Sequence, residues 1–176
     1  MRRDITRIDV RPFFSATEYV AMIRYFLDAE DAFLRGMGAD RSRFPTREKW
    51  LGEILADQQK PDEQKERIYL GWFYGGRLVG HSSVNQIKIG EEAFVHLHLW
   101  DPRLRRDGVG TEFFRRSVDY FRKRLKLKRI ICEPYAENPA PNRVLQKLGF
   151  TFVRRYNTVP GPINLEQDVN RWELRF

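Results

Sequence analysis

The sequence predicts an α/β fold of the mixed α+β kind. One central mixed sheet, mostly antiparallel and of about seven strands, is flanked by about four helices. Three observations predict it. Two apolar runs, 68–74 and 78–87, meet at Gly75-Gly76, which is a hairpin signal. A third run, 94–100, alternates and follows closely. An amphipathic stretch after Gly108 and Gly110 then leads into the short apolar run 128–133, which reads as a strand–helix–strand crossover.

The remaining elements follow in order. Residues 5–10 alternate apolar with polar and read as a first strand. Ser15-Ala16-Thr17-Glu18 has the pattern of a capping box, and Tyr19, Met22, Ile23, Phe26 and Leu27 follow at helical spacing, so one helix is expected to reach Phe33 or Leu34. The segment 36–40 breaks it. Pro45-Thr46 opens a second helix with Trp50, Leu51, Ile54 and Leu55 inward. The polar run 57–67 reads as an exposed loop. The long helix carries a stripe of Val109, Phe113, Val118, Phe121 and Leu125. A helix over 140–147 stops at Gly149, and strands over 150–156 and 170–175 close the chain around Pro160-Gly161-Pro162.

The 176 residues suit one domain, 1–176, with its own core. No run is long and apolar enough to span a membrane, and the first residues lack the apolar stretch of a signal peptide. A single cysteine, Cys132, excludes an internal disulfide and sits in an apolar run, as a small buried hydrophobe would. A cytoplasmic protein, monomer or homodimer, is expected. The formal charge of +8 reads mainly as solvated surface.

The stretch 94–121 organises the chain. Phe94, His96, His98 and Trp100 share one face of a strand; Val95, Leu97 and Leu99 share the other. Between strand and helix lies Arg105-Arg106-Asp107-Gly108-Val109-Gly110. A helix start leaves amide N–H groups unpaired and partly positive, so it attracts phosphate; glycines let the backbone approach, and arginines add charge. Here the sequence resembles the GNAT superfamily of N-acetyltransferases, whose acetyl-CoA loop reads Q/R-x-x-G-x-G/A, matched by Arg105, Gly108 and Gly110. Pro102, three residues before the arginine, resembles the family's lead-in. A second resemblance runs from Glu133 through Asn138 to Leu148-Gly149-Phe150. The two matches cover the C-terminal half, while the N-terminal half agrees in element order. The resemblance extends to the subgroup of ribosomal-protein N-terminal acetyltransferases (RimJ/RimL-like).

The resemblance implies acetyl-CoA as co-substrate and no metal. It places the pyrophosphate on the backbone of Arg105, Arg106, Asp107, Gly108, Val109, Gly110 and Thr111. The pantetheine arm is expected beside the backbone of Leu99 and Trp100, with Asn138 touching the arm or a site water. For a base, His98 is preferred to His96 because it is nearer the expected thioester, although each is also readable as a structural histidine. Many relatives place a tyrosine acid where this chain has Leu145; Tyr135 is the candidate substitute. The expected function is acetyl transfer to a primary amine: a protein N-terminus, a lysine or a small molecule. The alternatives are an acyl-CoA-binding module without turnover and, last, a nucleic-acid-binding protein.

Overall fold

Alternation along a strand sends successive side chains to opposite faces, and both faces of this sheet are covered for part of its width. The computed structural model describes residues 3–176. The strands are β1 Ile8–Pro12, β2 Arg67–Tyr74, β3 Arg77–Lys88, β4 Glu92–Leu99, β5 Arg129–Cys132, β6 Thr151–Thr158 and β7 Gln167–Arg175. They form one seven-stranded sheet in the order β1-β2-β3-β4-β5-β7-β6. Every neighbouring pair is antiparallel except β4–β5. The helices are α1 Ala16–Leu27, α2 Asp31–Gly36, α3 Arg47–Gln58, α4 Val109–Leu125 and α5 Pro139–Lys147.

One face packs on α4. Leu70, Trp72, Val84 and Val95 meet the expected stripe of Val109, Phe113, Val118, Phe121 and Leu125, all buried. Trp72 stacks on Phe113 with centroids 5.2 Å apart, and its indole N–H donates to Ser117 Oγ at 2.9 Å. That bond explains a buried serine in an apolar helix face. The other face packs on α1 and α3, with Tyr19, Met22, Ile23, Phe26 and Ile54 against Tyr69. The hairpin glycines Gly75 and Gly76 have φ of +57° and +79°, the left-handed pair that a tight two-residue turn requires.

Several boundaries differ from those read in the sequence. Ile5–Arg7 is a 3-10 turn, and the first strand starts at Ile8. The first helix stops at Leu27, and a separate α2 follows, giving five α-helices among the described residues. The break has a long-range cause. Arg41 donates to the carbonyls of Leu27 (2.8 Å) and Ala29 and to Asp31 Oδ1 (2.6 Å). It caps the end of α1 and pairs with the acidic start of α2. The polar run after α3 is also less open than expected. Asp57 is buried and accepts from the amides of Glu66 (2.9 Å) and Arg67 (3.1 Å), which tethers the entry to β2.

Candidate active site

The parallel pair β4–β5 parts company halfway. Pairing runs from Glu92↔Arg129 to Phe94↔Ile131 and stops. Beyond it, β4 stays on β3 as far as Leu99↔Gly80, while the chain after β5 stays on β7 through Tyr135↔Val169. One edge of β4, from Val95 to Leu99, therefore opens into a cleft. Trp100 N–H donates to Val79 O at 2.8 Å, toward β3. By alternation the amides and carbonyls of Leu97 and Leu99 point into the cleft. Arg105 Nη2 donates to Leu99 O at 3.2 Å from that side. Leu99 thus lies where an extended ligand would pair. The amide of Trp100 is already used, and Trp100 contributes its ring instead.

At the end of the open edge the chain turns into α4. Asp101 fastens this turn: its carboxylate accepts from the Arg103 amide (3.0 Å), the Arg103 guanidinium and Arg77 Nη2 (2.9 Å). The Arg103 bonds, ahead of its own burial, hold its carboxyl well below the usual range. Arg106 and Gly108 both take left-handed backbone, φ +70° and +81°. Among the described residues, no protein acceptor meets the amides of Arg106, Asp107, Gly108, Val109, Gly110 and Thr111; the first one paired is Glu112, to Gly108 O at 3.1 Å. Such a run of unpaired N–H groups at a helix start can cradle an anion. A Cβ added at Gly108 would meet no protein atom within 4 Å, so the space beside it is open to a ligand. Of the expected run 105–111, residues 106–111 offer free amides that fit a pyrophosphate, whereas the Arg105 amide is already given to Pro102 O at 3.2 Å; Leu99 fits the arm that follows.

On the α1 side of the cleft, His98 stacks on His81, centroids 4.7 Å apart and 10° from parallel. Its Nδ1 lies 3.5 Å from the hydroxyl of Tyr25. Tyr25 stacks on Trp100, and Phe26 meets His98 edge-on. Burial, with the nearby Arg67 charge, lowers His98 to about 4, and burial pushes His96 and His81 well below the usual range. All three are neutral near pH 7. His96 is tied by Nε2 to Asn85 Oδ1 at 2.9 Å, so His98 is the less committed of the predicted pair.

The far lip is built by the segment after β5. Tyr135 is half-buried, and its hydroxyl makes no hydrogen bond to the described residues. Asn138 caps α5, its Oδ1 accepting from Ala140 N at 3.3 Å. Leu145 is fully buried in the core under α4, so no side chain at that position reaches the cleft without repacking.

Sequence reasoning missed three residues here. Tyr25 lies off the apolar stripe of α1 and gave no periodic signal. Glu133 shares the His98 face, by alternation from Phe94↔Ile131, and accepts from Tyr156 Oη (2.7 Å) and Arg171 Nη1 (2.9 Å). Asn142 makes four bonds. Its Nδ2 donates to Asn138 O (2.7 Å) and Tyr135 O (3.2 Å), and its Oδ1 accepts from Asn170 Nδ2 (3.0 Å) and Trp172 Nε1 (2.9 Å).

With this geometry in view, the comparisons decide the family. A family model described as an acetyltransferase (GNAT) domain matches residues 7–151. The chain belongs to that family. It is an acetyl-CoA-dependent N-acetyltransferase. No curated protein sequence matches it. Among solved structures it is similar to RimL, the ribosomal L7/L12 alpha-N-protein acetyltransferase, in complex with coenzyme A. That match has a TM-score of 0.78 at 15% identity over 97% of this chain and 95% of that one. A ribosomal-protein-S5-alanine acetyltransferase from Vibrio fischeri gives 0.77 at 18% identity, covering 99% and 96%. Spermidine N-acetyltransferase from Vibrio cholerae, with CoA and spermine, gives 0.74 at 16%, covering 97% and 96%. At these identities the likeness is one of fold. No helix among the described residues is long and apolar enough to cross a membrane.

Proposed function

We propose that this GNAT protein acetylates a primary amine that enters between His98 and the Tyr135 lip, with the α-amino group of a peptide as the favoured acceptor. The observation that carries the reading is the run of unpaired amides from Arg106 to Thr111 at the end of the opened β4 edge. Acetyl-CoA, when bound, supplies the activated acetyl group as a thioester. The amides 106–111 hold its pyrophosphate, and the Leu99 backbone, once the Arg105 contact gives way, pairs with its arm.

An amine attacks only when neutral. A side chain at about 4 is a weak base, so neutral His98 orients the amine by accepting its hydrogen bond rather than by keeping its proton. That suits an α-amino group, with an ordinary pKa of roughly 7.7–8, better than a lysine near ~10.4. Tyr135 is the proposed acid for the departing thiolate, as a half-buried tyrosine in the lip segment whose hydroxyl has no hydrogen-bond partner among the described residues. Asn138 stays assigned to the arm or a site water, alongside its capping role. The aromatic wall of Tyr25, Phe26 and Trp100 shields the reacting atoms from water. The setting proposed is cytoplasmic, with one domain acting as monomer or homodimer.

The test is acetyl-CoA-dependent thiol release with three acceptors: peptides with a free α-amine, N-blocked peptides with lysine, and polyamines. The reading expects turnover with the α-amine and a loss of about 10²-fold or more in His98→Ala. Turnover only with lysine or polyamine contradicts the acceptor class. Tight acetyl-CoA binding with no turnover on any amine would favour the binding-module reading, which the apolar Leu145 supports.

A further inference from the structure

The amide cradle depends on a short loop whose geometry is unfavourable for an ordinary side chain. Arg106 is neither glycine nor asparagine, yet its backbone is left-handed, and such outliers persist only where surrounding contacts enforce them. The enforcing contacts come from the other end of the chain. Arg3 Nε donates to Asp107 Oδ2 at 3.0 Å, and Arg3 Nη2 donates to Arg103 O at 2.9 Å. These two bonds bracket Leu104, Arg105 and Arg106 from one guanidinium, across sequence separations of 104 and 100 residues. We propose that Arg3 is a positioning residue for acetyl-CoA binding, acting through Asp107 and the Arg103 carbonyl. The inference rests on the cofactor reading given above.

Two physical consequences follow from the bracket. First, it holds the loop in its anion-binding shape before any ligand arrives, so binding costs less ordering. Second, it neutralises a carboxylate inside a loop that receives a polyphosphate. Asp107 is the acidic member of the 105–111 run, and a free carboxylate there opposes the ligand by like-charge repulsion. Arg3 itself lines a surface hollow of about 400 Å³ together with Arg7, Arg77, Asp101 and Arg103. The Arg77 and Arg103 charges there are paired with Asp101, and Arg3 is held by the Asp107 and Arg103 contacts. Arg3 touches neither the open β4 edge nor His98, so its effect falls on cofactor affinity and not on turnover at saturation.

The test compares wild type with Arg3→Ala, Arg3→Lys, Asp107→Asn and the Arg3→Ala/Asp107→Asn double variant, by steady-state kinetics and acetyl-CoA calorimetry. Arg3→Ala is expected to raise the acetyl-CoA KM and Kd about three- to five-fold, the range of a partly exposed ion pair. Its kcat and amine KM stay at wild-type values, and its thermal midpoint does not move. Arg3→Lys, which keeps the charge but loses the second bond, falls between. The double variant is no worse than Arg3→Ala, because the repelling carboxylate is gone. Unchanged acetyl-CoA affinity in Arg3→Ala, or a fall in kcat with KM unchanged, overturns the inference and leaves the cofactor reading standing. A folded wild type that binds no acetyl-CoA overturns both.

Discussion

The indole N–H of Trp100 donates to Nδ1 of His81 at 2.9 Å, and this fixes the tautomer of a buried histidine. An indole nitrogen only donates, so His81 Nδ1 carries no proton and its hydrogen sits on Nε2. His81 is then a neutral plate against which His98 stacks.

Trp100→Phe keeps the ring but removes the donor. His81 Nδ1 is left buried without a partner, which costs about 1–3 kcal/mol. Urea unfolding of the two proteins measures the difference. Equal midpoints and slopes would mean that the bond contributes nothing.

The three histidines also set a pH dependence. Each is held neutral by burial, so its folded pKa lies below the ordinary 6.5. The unfolded chain takes up protons that the fold refuses, so stability is full above about 6.5 and is lost as pH falls. For His98 the loss runs from 6.5 to about 4 and amounts to roughly 3 kcal/mol, of which about 2 kcal/mol is reached by pH 5. Glu112, held at about 2 by its hydrogen bonds to Arg115 and then Arg116, loses its contribution mostly below this window, between 4.5 and about 2. Chemical denaturation at pH 7.5 and pH 5, on wild type and His98→Gln, reads the contribution of His98 directly. The variant should lose less stability between the two pH values than wild type.

Asn142 fastens α5 to β7 and to the Tyr135 lip. Asn142→Asp replaces two donors with an acceptor facing the carbonyls of Asn138 and Tyr135. A destabilisation of about 2–4 kcal/mol is expected, with a higher acetyl-CoA KM in what remains folded. Thermal unfolding and initial rates check both.

Leu145→Tyr puts the side chain found in many relatives into a position that is 0% exposed here. Overpacking should cost about 1–3 kcal/mol without raising kcat. A gain in kcat at unchanged stability would show that the cleft, not the core, receives the new hydroxyl.

The sheet was readable from the sequence wherever its signal is local. Gly75-Gly76 marks its hairpin because both positions need left-handed backbone, and the α4 stripe marks itself by period. The break after Leu27 was not readable, because Arg41 imposes it from the next loop. The same holds for the site. The run 105–111 is contiguous, so a motif could name it, and the His96/His98 face followed from alternation. Tyr25, Glu133, Asn142 and Arg3 act through contacts that only the fold creates. The burial that makes His98 a weak base is likewise a property of packing by α1.

The measurement that tests the central claim most directly is calorimetric titration of acetyl-CoA into wild type and Gly108→Asp, with ATP as the control ligand. Position 108 has left-handed backbone and faces open space beside the free amides, so aspartate there brings both strain and a negative charge to the phosphate position. The account predicts selective binding of acetyl-CoA by wild type and its loss in a folded Gly108→Asp. Equal binding by the two proteins, or no binding by wild type, would contradict it.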